Sequence, residues 1–310
     1  MSKEIEEKIE KIPVLRNIAR GLKRVKLLEE LSLYELLEMY TIGIGKAALG
    51  NRAGSIAFSF FMALFPFALF ILNLIPYIPI HGFQQDFLKF VLESVPPNTY
   101  NAIDAIVKDI LNNSYKGLLS SGFLLSIFLQ ANGLNAILTG FENSTKVKHK
   151  RRYVHQYLVS LGMSLTLTVI LITTVAIIVV SEVFLQSIKI QDVLNDSISI
   201  VVVSRYIFVI LMILITISIL FKFGTIRTEK RAFISIGSVF TTILIILSSY
   251  GFGIWVVRFS KYNELYGSIG TLLIMMFYIW LNCMILLLGF ELDATIRDHK
   301  ESVRNRKNLS

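Results

Sequence analysis

Gly267-Ser-Ile-Gly-Thr-Leu-Leu-Ile-Met-Met-Phe-Tyr-Ile-Trp-Leu-Asn-Cys-Met-Ile-Leu-Leu-Leu288 runs for 22 residues without a charged side chain. As an α-helix at 1.5 Å per residue it rises about 33 Å, enough to cross the roughly 30 Å hydrocarbon core of a bilayer. Five further runs meet the same criterion, near Ala53–Ile75, Gly117–Gly140, Tyr157–Val180, Ile198–Phe221 and Ala232–Val257. No water reaches backbone groups inside lipid, so each span has to be helical. The sequence therefore predicts an all-α polytopic membrane protein with six transmembrane helices.

Composition agrees. Of the 310 residues 54% are hydrophobic, and mean hydropathy is +0.63; soluble chains average about 45–50% apolar. The net charge of +9 sits in short basic runs beside the apolar ones. That placement points to anionic lipid headgroups, not nucleic acid, as the partner. Cys283 is the single cysteine, so neither an internal disulfide nor a cysteine-based zinc site is available. The charged first 52 residues contain no compact apolar segment of the signal-peptide kind.

Lysine and arginine counts orient the spans. The segment before the first span holds ten, the loop 141–156 five, the loop 222–231 four, and the tail after Leu288 five. The three opposite segments hold three, one and two, which makes 24 against 6 with Arg205 left inside the fourth span. Basic residues are retained on the cytoplasmic side, so both termini are expected there.

Three regions follow: a cytoplasmic amphipathic region 1–52, a six-helix domain 53–292 with an outer loop 76–116, and a basic cytoplasmic tail 293–310. Between Val14 and Leu28, Leu15, Ile18, Leu22 and Val25 share one helical face opposite Arg16, Arg20, Lys23, Arg24 and Lys26. Such a helix can lie in the headgroup layer or pack on the protein's own surface. Ser32-Leu-Tyr-Glu35 reads as a capping box opening a second helix toward Ala48. In the outer loop, Phe83, Phe87, Phe90 and Val91, then Ile103, Ile106, Val107, Ile110 and Leu111, form apolar faces of two short helices.

The first span reads Ser55-Ile-Ala-Phe-Ser-Phe-Phe-Met-Ala-Leu-Phe-Pro66, and Pro66 removes a backbone donor in mid-span. The last begins Tyr262-Asn-Glu-Leu-Tyr266-Gly267-Ser-Ile-Gly270 and closes Leu288-Gly289-Phe-Glu291-Leu-Asp293-Ala294. These stretches, with Ser126–Asn143 and the region of Gly237, resemble the virulence factor BrkB / YihY family of bacterial membrane proteins. The resemblance implies six membrane helices and no settled activity. Some members of the family carry a ribonuclease label. Here His81, His149, His155 and His299 are scattered over different segments, and the carboxylates sit at span ends. RNA hydrolysis needs paired histidines, metal-binding carboxylates or an acid–base pair. The expectation is a protein without catalytic residues, metal or cofactor.

Polar residues within the spans are the candidates for a substrate path: Arg205, Gln130, Asn132, Ser126, Pro66, Asn73 and Asn282. Arg205 either snorkels to the outer surface or faces a polar cavity, with Glu182 and Glu264 as candidate partners. Ser126, Gln130 and Gly133 share one face, suited to interhelical bonding or to lining a cavity. The second and last spans both end in Gly-Phe-Glu, which puts Glu142 and Glu291 at similar depth beside Asp293, with Arg151, Arg227 or Arg231 as partners. Two functions fit these features. One is translocation of a lipid or amphiphile; the other is a non-transporting scaffold that recruits envelope proteins. The residues do not specify oligomeric state.

Overall fold

The computed structural model describes residues 26–28, 31–32, 48–74, 116–144, 147, 150–187, 197–226, 232–258 and 268–307. The apolar runs become six helices: α1 (Leu49–Leu74), α2 (Lys116–Glu142), α3 (Tyr153–Ser187), α4 (Ser197–Phe223), α5 (Ile236–Arg258) and α6 (Ser268–Lys307). All of α2 to α6 are long and apolar enough to cross a membrane. At 26 residues α1 rises about 39 Å.

Two expectations need correction. Lys26–Leu28 (β1) pairs antiparallel with Leu31–Ser32 (β2), so these three residues, expected to end a helix, lie in a strand, and the rest of that expected helix falls outside the described residues. Pairing of Leu-rich flanks is an alternative that helical periodicity alone does not reveal. Ser32 accordingly lies in a strand, and the helix expected after it falls outside the described residues, as do the two helices of the outer loop. The proline-broken first span is the second correction: α1 runs through Pro66 as one helix. Losing one backbone donor leaves the flanking helical bonds intact, and membrane helices tolerate that.

Consecutive helices are neighbours, and α6 packs on α1 to close the sequence into a ring. Successive helices alternate in direction, so the starts of α1, α3 and α5 share one end with the finishes of α2, α4 and the membrane part of α6: Arg52 reaches Gly140 and Glu291, Arg151 reaches Gly224, and Gly237 meets Asp293. This is the charged end. There α6 does not stop at Leu288 but continues as helix to Lys307, 40 residues in all.

Burial divides the ring by depth. On α4 the fully buried run is Ile217–Phe221, on α5 it is Gly237, Ser238, Thr241 and Thr242, and on α6 it starts at Cys283 and holds from Ile285 to Leu287 and Gly289 to Ile296. Toward the opposite end Tyr206, Ile207, Leu247, Tyr250, Ile254, Leu272 and Leu273 are all exposed. Among the described residues the buried side chains of α4, α5 and α6 gather at the charged end; farther along, α5 and α6 stay in contact through Ser249 and Phe252 on Tyr278.

Candidate functional site

Three phenylalanines form the innermost layer of the charged end, one each from the finishing helices α2, α4 and α6. Phe141 and Phe290 stack with centroids 4.1 Å apart and planes within 9°. Phe221 meets both edge-on at 5.7 Å. Edge-to-face and offset contacts suit the ring quadrupoles. Small residues beside the layer allow the approach: a Cβ on Gly224, just past α4, would lie 2.6 Å from Phe141 Cδ2.

Ion pairs seal this layer. The Arg52 guanidinium on α1 donates through Nη1 to Glu291 Oε1 on α6 at 3.0 Å. Through Nη2 it donates to the carbonyl of Gly140 near the finish of α2, where the helix dipole favours a cation. Ser144 donates to the other oxygen, Glu291 Oε2, at 2.7 Å. Only 1% of the Glu291 side chain and 10% of Arg52 are exposed. One buried pair thus joins α1, α2, α6 and the turn after α2.

Arg151 makes a second joint. Its Nη1 and Nη2 each donate at 2.8 Å, to the carbonyls of Gly224 and Phe223, which the end of α4 would otherwise leave without partners. Its backbone N–H donates to Glu142 at 3.2 Å, and the two side chains lie 3.8 Å apart. Burial pulls the Arg151 guanidinium below its ordinary range, and Glu142 opposes the shift. A third pair, Arg297–Asp293 at 3.2 Å, lies on α6, with Arg297 also over the Phe290 ring. Asp293 packs against Gly237 in the first turn of α5, where a negative charge complements the helix dipole. Ser235 and Ser238 cap that turn reciprocally.

The path candidates separate. Gln130 accepts from Ser164 at 2.8 Å and Thr168 at 2.9 Å, both on α3. Gln156 of α3 donates to Asn135 Oδ1 and Thr139 Oγ1. Much of the polar stripe of α2 is thus engaged by α3. Ser126 is buried and Asn132 half-buried. Gly133 faces α1, against the Phe60 ring. Asn282 donates to its own helix at the Tyr278 carbonyl, and its Oδ1 is buried without a partner. Gly270 is buried on α6. The side chains of Pro66, Asn73 and Arg205 lie outside the description, although their helices are described; Tyr266, Gly267, Arg227 and Arg231 lie outside the described residues altogether. Glu142, Glu291 and Asp293 come together at the charged end.

Sequence reasoning passed over Arg52, Phe141, Phe221, Phe290 and Ser144. Arg52 looked like one basic boundary residue among ten, and the two Gly-Phe-Glu tripeptides were weighed for their glutamates. The ring between glycine and glutamate was the available signal. Among the described residues no three His, Cys, Asp or Glu side chains are grouped to hold a metal ion.

Comparisons with known proteins follow the helices. The chain is 28% identical over 274 residues to a protein of Bacillus subtilis (strain 168) named ribonuclease-like protein YfkH, covering 87% of this chain and 96% of that one. It is 25% identical over 253 residues to a UPF0761 membrane protein of Aliivibrio fischeri, covering 79% and 77%. A UPF0761 membrane protein of Vibrio parahaemolyticus is 23% identical, covering 80% and 78%. No solved structure matches. The family model described as Virulence factor BrkB matches residues 43–309. A chain with five helices able to span a bilayer among its described residues, matched by the family model over residues 43–309, is an integral membrane protein and belongs to the Virulence factor BrkB family.

Proposed function

We propose that this protein handles a lipid or amphiphile across or along the membrane, and that the described conformation is sealed at its charged end and open at the other. The observation that supports this reading is the sealed charged end, a buried phenylalanine layer closed by ion pairs, against the exposed described side chains of the upper turns of α4, α5 and α6. A helical bundle built only for stability gains by packing along its whole length. The excess of lysine and arginine on the charged side supports a cytoplasmic location for that end. On this reading the other half faces outward, and Arg205, in the outer third of α4, supplies the cation for an anionic headgroup.

The test is translocation of headgroup-labelled anionic lipid in proteoliposomes, comparing wild type, Arg205→Ala and an unrelated six-span protein. Wild type should exceed the control, and the variant should lose most of the excess. Equal rates for all three across several lipid classes would end this reading.

A non-transporting scaffold for envelope partners is the second reading. It is favoured by the engagement of Gln130, Asn135 and Thr139 with α3, which removes a polar path between those helices. No nuclease chemistry is carried over from the Bacillus relative's name, because the residues at the charged end are ion pairs without an acid–base couple.

A further inference from the structure

We infer that the Phe141–Phe221–Phe290 layer is a gate and that the Arg52–Glu291 pair is its latch. This deepens the proposed function and rests on the reading that the bundle passes an amphiphile.

The layer has the form of a constriction. Each of the three helices that finish at the charged end contributes one ring, and each ring is 2% exposed or less. The joints around it differ in kind. Between α5 and α6 the backbones nearly touch: a Cβ on Gly289 would lie 1.6 Å from Thr241 Oγ1, and one on Gly237 would lie 2.8 Å from the Gly289 carbonyl. Two helices interlocked this closely move together. The hairpin α1–α2 is a second unit, packed along its length, with Phe60 of α1 against Gly133 and Ile56 against Gly140. Where the second unit meets the first at this end, the joint is made by side chains: the flat ring stack, the charge pair and the Leu287 side chain against Gly140. Rings in a stack slide over one another, and a charge pair dissociates without unthreading any backbone.

A buried pair is also poor static glue, because desolvation consumes most of its Coulombic gain. It is a sensitive latch, since it holds in one geometry and leaves two costly charges in any other. Arg52 adds directionality: by binding Glu291 and the Gly140 carbonyl together it draws α1 and α2 onto α6 at one point. Opening separates Arg52 from Glu291 and draws Phe141 off Phe290.

The test uses the full chain in nanodiscs, where a membrane-impermeant maleimide reaches both faces. In a Cys283→Ala background, Leu287→Cys places a thiol at a fully buried site beside Gly140, and Ala131→Cys places one in the α2 core as a control. With the latch intact both react slowly. Arg52→Gln or Glu291→Gln should raise labelling at position 287 by about tenfold or more, the shift expected when one state loses its preferential stabilisation, with position 131 still silent. The conservative Arg52→Lys, which keeps a cationic donor for Glu291 and the Gly140 carbonyl, should keep labelling slow. Unchanged labelling at 287 in the single variants overturns the latch. Equal acceleration at 131 also overturns it, because the pair then maintains the fold and not a gate. The two proposals fail separately: accelerated labelling without lipid translocation removes the lipid reading and keeps the gate, whereas translocation with unchanged labelling removes only the latch.

Discussion

The helix pair α5–α6 contains both extremes of the molecule. At the charged end Gly237 and Gly289 let the two backbones and Thr241 interlock, with no space for even a methyl group. Some 14 residues further along α5, Cβ atoms on Gly251 or Gly253 would meet nothing within 4 Å. Tyr250 beside them is 73% exposed. The same residue type on the same helix marks the tightest contact in one half and open space in the other. Small residues in a membrane helix therefore permit close approach without requiring it.

This contrast can be broken by measurement. The largest effect is predicted for Arg52→Ala, which strands the Glu291 carboxylate in the closed half; breaking a buried pair costs about 3–5 kcal/mol. Reversible unfolding in mixed detergent micelles reads it, and a loss below about 1 kcal/mol would mean that water reaches the pair. Phe290→Ala is predicted to cost about 3–5 kcal/mol as a fully buried aromatic. Leu273→Ala, at an exposed side chain nearer the other end of the same helix, should stay within about 0.5 kcal/mol. Comparable losses for the two would contradict the packing gradient.

Glycine substitutions sharpen the contrast further. Gly289→Ala should destabilise by about 1–3 kcal/mol through overpacking against Thr241. Gly253→Ala should be neutral or stabilising by up to about 1 kcal/mol, because the helix gains a better former and nothing is displaced. Thermal midpoints in detergent would rank them, and the reverse order would refute the assignment of tight and open halves. A modest effect is expected at Gln130→Ala, where interhelical bonds to Ser164 and Thr168 are each worth about 0.6 kcal/mol in a bilayer. A much larger loss there would make the α2–α3 seam, not the charged end, the principal lock.

Most helices were legible because lipid imposes a strong rule. An uncharged run such as Leu272–Leu288 has one viable backbone conformation in hydrocarbon, so span and type follow from composition alone. Local alternatives outside hydrocarbon were harder to read. Lys26–Leu28 has helical periodicity in sequence, yet pairs with Leu31–Ser32, since near water both conformations satisfy their backbone groups. Pro66 illustrates the opposite error: a strong local breaker is overridden when neighbouring turns keep their bonds.

The candidate site was legible only in part. Gly-Phe-Glu at 140–142 and 289–291 was visible as a repeated tripeptide, and Arg151 was foreseeable as a partner for Glu142. That Arg52 would reach Glu291, 239 residues away, was not. A basic residue ahead of an apolar span has the same appearance whether it meets headgroups, water or a buried carboxylate.

The amino-acid sequence by itself determined the helical membrane class and the approximate limits of the apolar helices, because these depend on the transfer of each segment between water and lipid. Tertiary structure alone decided the closure of the ring by α1 on α6, the meeting of Phe141, Phe221 and Phe290, and the pairing of Arg52 with Glu291. Those contacts join residues far apart in the chain, and their energies exist only once the helices have packed.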